Sequence, residues 1–537
     1  MAEISGAQRL AQSASATDDC ADALPVRWAK EGQLAAAGLT LLVLTAIGSR
    51  LVPILIEPSL NWWDEVFQAT EPAHRLIYGY GLVPWEFQLG MRSWVLPGAV
   101  AGLMEVSRLV GNGPDYYLPV IATSFAVLAS APVLCCFWWA RSWFGLAGAF
   151  AAAAFVAIAP ELVYLGGRTL SETVAGHVLV IGCFLLGPGY QVTSRRRLFA
   201  AGLLLGFVCL LRIHLAPAVV LIVVWAKWGS WRERLPALLA GGLAAIASGA
   251  MLDWLTLGYP LVSLWRNVLF NVVDGVSADF GTAPWSSYLV GELGLWGGAG
   301  LFIVLAAVLG ARRLPILLAA AIVIVAVHSG IGHKEYRFIY PAVLLLMVLA
   351  GLGVGQLTEW GAEWLGGRGV KRQLAEAACA VSLLAYAGFL MFGIWTNPTM
   401  AQLRSRVQDN LLAMSFAAKL PAMCGIGLYG EEGRDWVLYG GYTYLHRPVP
   451  MYWPADQAEL TATAPAFDTL LYTLPPPAAL GFEMTACFGK SCIARRSGGC
   501  VARSMAAMPF PQPVAGLAPR KEAFPAIPVS AAFTGSR

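Results

Sequence analysis

Stretches of roughly twenty residues with almost no charge recur along this chain, and they restrict its fold more than any other feature. A helix crossing the hydrocarbon of a bilayer needs about 20 apolar residues. Runs of that length lie near 34–56, 117–140, 145–165, 172–190, 235–257, 291–311, 314–332, 339–360 and 374–396. A further run, 198–228, is too long for one crossing and is interrupted by Arg212, His214 and Pro217. It reads as two short helices meeting in a bend at membrane depth, which is tolerated only where buried in protein or facing water. The pattern predicts about eleven crossings, with the termini on opposite sides. Charged residues make up only 13% of the chain, against about 25% in soluble proteins. An all-α polytopic membrane protein is the expected fold class.

Basic residues between the runs set the orientation. Arg141, Arg195 to Arg197, Lys227, Arg232, Arg234, Arg312, Arg313, Arg368, Lys371 and Arg372 all fall on one side, which the positive-inside rule makes the cytoplasm. The opposite face then receives residues 57–116, the turn around Arg168, residues 258–290, HKEYRF at 333–338 and everything after about residue 397. Residues 1–33 are polar and mixed in charge, so a cytoplasmic N-terminal segment is expected in place of a signal peptide. A net charge of +4, scattered in short clusters, gives no reason to expect a nucleic-acid partner.

After the transmembrane domain, 34–396, the apolar runs shorten. DTLLYTL (468–474) and VLYGGYTYL (437–445) read as strands between Gly and Pro turns, so 397–504 is expected to be a small soluble α/β domain. Cys424, Cys487, Cys492 and Cys500 lie there, in an oxidising compartment where disulfides form; four cysteines allow three pairings. Cys20, Cys135, Cys136, Cys183, Cys209 and Cys379 read as small hydrophobic filler. Residues 505–537, rich in Pro and Ala, read as a disordered tail.

Several standard motifs fail. FGKS (488–491) lacks the first glycine of a phosphate loop, since Met484 stands there. The six histidines show no zinc-ligand spacing, and no metal site is expected. Ionisable residues at the membrane mouth are the stronger signal, because each is costly there unless paired or functional. Asp64 and Glu65 stand side by side after the first run, followed by Glu71, His74, Arg75, Glu86 and Arg92. Neighbouring helical residues point about 100° apart, so at least one of the two acids should face the bundle, where a carboxylate in a cleft can serve as a general base. Arg168, Ser171 and Glu172 sit at the head of another run, where an ordinary helix start explains them equally well. Arg212 lies deep in an apolar run and needs an anionic partner, internal or a ligand. His333, Lys334 and Arg337 share one short loop on the side opposite the usual basic loops, a cationic cluster suited to a phosphate leaving group. Together these groups suit transfer from a lipid phosphate at the membrane surface.

WDEVFQATEPAHRLIYGYGLVPWEF with RSWVLPG downstream, and HKEYRFIYP, resemble the two signatures of glycosyltransferase family 22. That family comprises GT-C enzymes, including mannosyltransferases of N-glycan precursor and glycosylphosphatidylinositol assembly. Tyr336 stands where the family often has an acid. GGRTLSE and LLRIHLAP are similar to weaker family elements, and the resemblance covers about residues 34–400. It implies an inverting, metal-independent transfer of a hexose, most often mannose, from a polyprenyl-phosphate donor to a hydroxyl of a glycan or glycolipid acceptor. No cofactor is implied. Asp64 would be the base, with Glu65 its alternative or orienting neighbour. Lys334, Arg337 and His333 would hold the lipid phosphate, with Arg212 adding charge; Arg168, His74, Glu86 and Arg92 complete the expected substrate-binding set. Competing expectations are a flippase for a lipid-linked sugar, or a GT-C enzyme acting on a polymer or protein. The Ala- and Gly-rich composition favours a bacterial inner membrane with a periplasmic site over the endoplasmic reticulum.

Overall fold

The computed structural model describes residues 24–187, 194–226, 231–430, 435–498 and 500; the expected tail at 505–537 and the N-terminal segment up to residue 23 lie outside them. Within the described residues, each apolar run falls mainly on helix. Among the described residues, five helices are individually long and apolar enough to cross a membrane: Ala35–Ile56, Pro114–Ile158, Trp231–Leu257, Tyr336–Gly366 and Arg372–Trp395. Two bent pairs raise this to seven, and Val95–Ser107, Ile213–Ala226 and Pro315–Gly330 are shorter apolar helices. Leu41, Leu243, Leu301 and Phe389 are exposed on their helices, as residues facing hydrocarbon would be. This is an integral membrane protein.

Breaks in the helices occur where the sequence supplies them. Gly145, at φ 71°, splits Pro114–Ile158 between the two runs the sequence separates there. The long run at 198–228 divides into Arg195–Leu211 and Ala216–Ala226, joined by a 3-10 turn, Ile213–Leu215, with Arg212 extended at the corner. Pro160–Gly166 and Ser171–Leu186 meet at 114°, and Ser287–Trp296 and Ala299–Ala311 at 109°. Tyr340–Gly366 forms the core of the bundle, and its glycines let neighbours approach closely: a methyl group on Gly353 would run into the Ala306 carbonyl oxygen, and one on Gly351 would stand 2.6 Å from that of Ala152.

The C-terminal part builds a five-stranded sheet, β1 Ile426–Tyr429, β2 Met451–Tyr452, β3 Thr469–Tyr472, β4 Glu483–Phe488 and β5 Ser491–Arg495, in the order β2-β1-β3-β5-β4. β1 runs parallel to β2 and β3, while β5 pairs antiparallel with β3 and β4. Disulfides join Cys424 to Cys500 and Cys487 to Cys492. The expected strand at 437–445 is not one. A 3-10 turn, Asp435–Tyr439, leads into a short helix, Gly441–Leu445, because Gly440 and Gly441 at φ 74° and 61° turn the chain in a way a strand cannot follow.

That short helix docks the C-terminal part onto the bundle. Glu71, fully buried, accepts hydrogen bonds from the backbone N–H groups of Leu82, Tyr442 and Thr443 and from the Thr443 hydroxyl. A Cβ on Gly441 would stand 2.8 Å from Glu71 Oε2, so only glycine allows the approach.

Candidate active site

The chain leaves its first span at Ile56 and turns at Asn61–Trp63, where backbone bonds from Glu65 N to Trp62 O and from Phe67 N to Trp63 O start the next helical segment. Asp64 and Glu65 therefore diverge. Asp64 lines a cavity of about 1660 Å³ between the bundle and the C-terminal part that carries the sheet. Glu65 turns away from it and bonds Arg168 at 2.8 Å; Arg168 also donates to the Ser59 carbonyl and hydroxyl, both at 2.7 Å. The Thr169 hydroxyl holds the Glu65 carbonyl at 2.8 Å. Arg168 and Glu65 thus brace the turn carrying Asp64 and do not line the cavity.

Around Asp64 the charges interlock. Arg337 reaches Asp64 Oδ2 at 2.8 Å, Glu335 at 2.6 Å and Glu172 at 3.3 Å, and Glu172 pairs with Arg212 at 2.5 Å. Gln68, one helical turn beyond Asp64, donates to Asp64 Oδ1 and also to Glu86 at 3.3 Å; Glu86 pairs with Arg92 at 2.7 Å. Burial pushes the Asp64 carboxyl up to about 6, opposed by Arg337 and reinforced by Glu335 and Glu86. Burial also raises Glu65, against the pull of Arg168. At Glu335 burial resists ionisation, but Arg337 and the His333 hydrogen bond hold its carboxyl down at about 2. His333 donates from Nδ1 to the Gly281 carbonyl at 2.9 Å and from Nε2 to Glu335 at 3.0 Å. Glu335 is the main reason its pKa is raised. Lys334 donates to the Ile331 carbonyl at 2.5 Å, and among the described residues no carboxylate pairs with it.

Of the residues singled out from sequence, Asp64, Glu86, Arg92, Arg212, His333, Lys334 and Arg337 line this one cavity. His74 does not. Fully buried, it gives its Nδ1 proton to the Tyr80 carbonyl at 3.1 Å, so its Nε2 accepts from His446 Nδ1 at 3.0 Å, tying the bundle to the soluble domain. Burial, with His446 alongside, lowers its pKa to about 3 and keeps it neutral. Tyr336 also points elsewhere, bonding Glu161 in a buried cluster with Glu292 and Trp296. Sequence reasoning missed Gln68, whose i,i+4 spacing from Asp64 was the available signal, and the role of Glu172 as the anion that Arg212 requires.

This arrangement offers a carboxylate of raised pKa beside several cations, at the mouth of an apolar bundle and under a soluble cap. Among the described residues the cluster of potential metal ligands is Cys424, Asp468 and Cys500, and its two cysteines form a disulfide.

Comparison with known proteins agrees with this architecture. The solved structure of ArnT from Cupriavidus metallidurans bound to undecaprenyl phosphate superimposes with a TM-score of 0.58 at 16% identity, covering 85% of this chain and 97% of ArnT. The expected GT-C architecture is thereby shown. GPI alpha-1,2-mannosyltransferase 3 of Danio rerio is 24% identical over 324 residues, 55% of this chain and 56% of the relative. GPI mannosyltransferase 3 of Yarrowia lipolytica is 29% identical over 314 residues, 56% of this chain and 60% of the relative. The chain thus spans somewhat over half the length of these relatives. The sequence model of the Alg9-like mannosyltransferase family matches residues 40–420, and the chain belongs to that family.

Proposed function

We propose that this protein is an inverting mannosyltransferase that moves mannose from a polyprenyl-phosphate donor to a hydroxyl of a glycan or glycolipid on the non-cytoplasmic face of the membrane. The observation that carries the reading is the convergence of Asp64 with Lys334, Arg337, Arg212 and His333 on one cavity. Family membership supports the sugar, and the fold shared with ArnT, solved with undecaprenyl phosphate, supports a lipid-phosphate donor. The basic clusters between the apolar runs support the face, and composition favours the bacterial inner membrane.

In this mechanism Asp64 takes the proton of the acceptor hydroxyl as its oxygen attacks the anomeric carbon. The bond from that carbon to the phosphate oxygen breaks on the opposite side, and its electron pair leaves with the polyprenyl phosphate. Lys334, Arg337, His333 and Arg212 stabilise the charge that develops there, where preorganised cations act most strongly. Arg212 Nη2 and Arg337 Nη1 pair with Glu172 at 2.5 and 3.3 Å, whereas Arg212 Nε has no hydrogen-bond partner among the described residues and is left to be satisfied by a phosphate oxygen. The chemistry requires no metal.

The deciding experiment offers purified protein radiolabelled polyprenyl-phosphate mannose and a lipid-extract acceptor, with and without chelator. Transfer is expected in both, and Asp64→Asn should lower the rate by about a hundred- to ten-thousandfold while leaving the protein folded. Full activity in that variant would exclude Asp64 as base; movement of the lipid-linked sugar across the membrane without transfer would favour a flippase.

A further inference from the structure

The cavity is larger than one substrate needs. An ordinary small-molecule site encloses roughly 300–1,000 Å³, whereas this one encloses about 1660 Å³. Its lining divides by origin. The charged network of Asp64, Glu172, Arg212 and Arg337 belongs to the bundle and the segment after its first span, whereas a second stretch of wall comes from the C-terminal part, at the start of Gln408–Ala417, at Val437 and Leu438, and at Lys490 in the β4–β5 turn.

Two features of that wall point to a ligand. Asn410 lines the cavity with only 8% of its surface exposed, and its amide Nδ2 has no hydrogen-bond partner among the described residues. A buried amide without a partner is costly, and its terminal torsion is soft enough to turn the group toward a polar ligand. Lys490 is fixed by its backbone, since its N–H donates to Asp409 Oδ2 at 2.9 Å, yet no carboxylate among the described residues pairs with its ammonium. Trp63, next to Asp64 in the chain, lines the same cavity and keeps 41% of its surface exposed, an aromatic face of the kind on which the C–H face of a sugar ring packs.

We infer that Asn410 and Lys490, in the same cavity as Trp63, form a subsite for the acceptor that holds an oligosaccharide beyond its reacting sugar. Hydroxyls of the second and third sugars bond to Asn410 and Lys490 while the first lies against Trp63 with its hydroxyl at Asp64. The inference rests on the acceptor being a glycan, as the proposed function has it, and it makes the soluble domain the part that reads acceptor length.

Binding tests this without donor or turnover. Full-length protein in detergent is titrated by calorimetry with octyl α-mannoside and with the corresponding octyl trimannoside. The trimannoside should bind about tenfold more tightly than the monosaccharide, and Asn410→Ala or Lys490→Ala should each erase that preference with an unchanged melting temperature. Trp63→Leu should weaken both ligands together. Equal affinity of the wild type for the two ligands, no binding of either, or retention of the preference in both wall variants would overturn the subsite. Because transfer is assayed separately with lipid extract, an enzyme that transfers mannose but shows no length preference loses only this inference, while one that never turns over the donor loses the function.

Discussion

At the scale of single residues, the adjacent acids illustrate what spacing can and cannot say. That Asp64 and Glu65 diverge follows from helical geometry alone. Which one faces the cavity is decided by Arg168, 103 positions along the chain from Glu65, and no local pattern contains that information. Their substitutions should differ in kind. Glu65→Gln leaves the Arg168 guanidinium, only 2% exposed, without its counter-charge, and losing one partner of a buried pair costs about 3–5 kcal/mol; a lowered melting temperature is the expected readout. Asp64→Asn should instead spare the fold and remove transfer. The pH dependence is also distinctive. With ionised Asp64 as the proposed base, and burial raising its pKa to about 6, kcat/KM should rise about tenfold per pH unit below that value and level off above it. Glu86 is among the charges that raise Asp64, so Glu86→Gln should move the rising limb to lower pH. A profile flat through pH 6 would contradict the assignment.

At the scale of elements, apolar run length told where helices lie because membrane thickness imposes it, and Arg212 with Pro217 told where one must bend. The angles between bent helices were not legible, since they depend on what packs against each piece. The strand expected at 437–445 went wrong for a local reason: alternating aromatics suggested a sheet, but the adjacent glycines take positive φ and turn the segment into a short helix under Glu71. Glycine matters differently in the bundle, where it removes bulk. Gly353→Val would drive a branched side chain into the backbone of Ala306, and such overpacking costs about 1–3 kcal/mol. Thermal unfolding in detergent should register that loss, whereas Gly388→Ala, in a helix and with nothing within 4 Å of the added methyl, should not lower the midpoint.

On the scale of the whole molecule, the cavity is lined by two parts of very different composition, and the proposed mechanism makes their docking a condition for transfer. The bundle side supplies Asp64, Arg212 and Arg337, the C-terminal part supplies Asn410 and Lys490, and Glu71 joins the two through bonds to Tyr442 and Thr443 at a separation of some 370 residues. Nothing in the sequence around Glu71 announces this, because its partners are backbone N–H groups, which every residue but proline possesses. Glu71→Gln keeps the size but turns one acceptor oxygen into a donor, so an N–H group would face the N–H and O–H groups of Thr443. Hydrogen bonds to a charged acceptor contribute about 1.5–3 kcal/mol each, enough to loosen the domain without unfolding the bundle. Hydrogen exchange should then accelerate in Gly441–Leu445 while the core helix Tyr340–Gly366 stays protected. Transfer should fall about tenfold through a raised KM for the acceptor, with the pH profile unchanged because Asp64 keeps its own neighbours. Unaltered exchange in Gly441–Leu445 would show that Glu71 does not hold the domain, and a shifted pH profile would show that docking reaches the base itself.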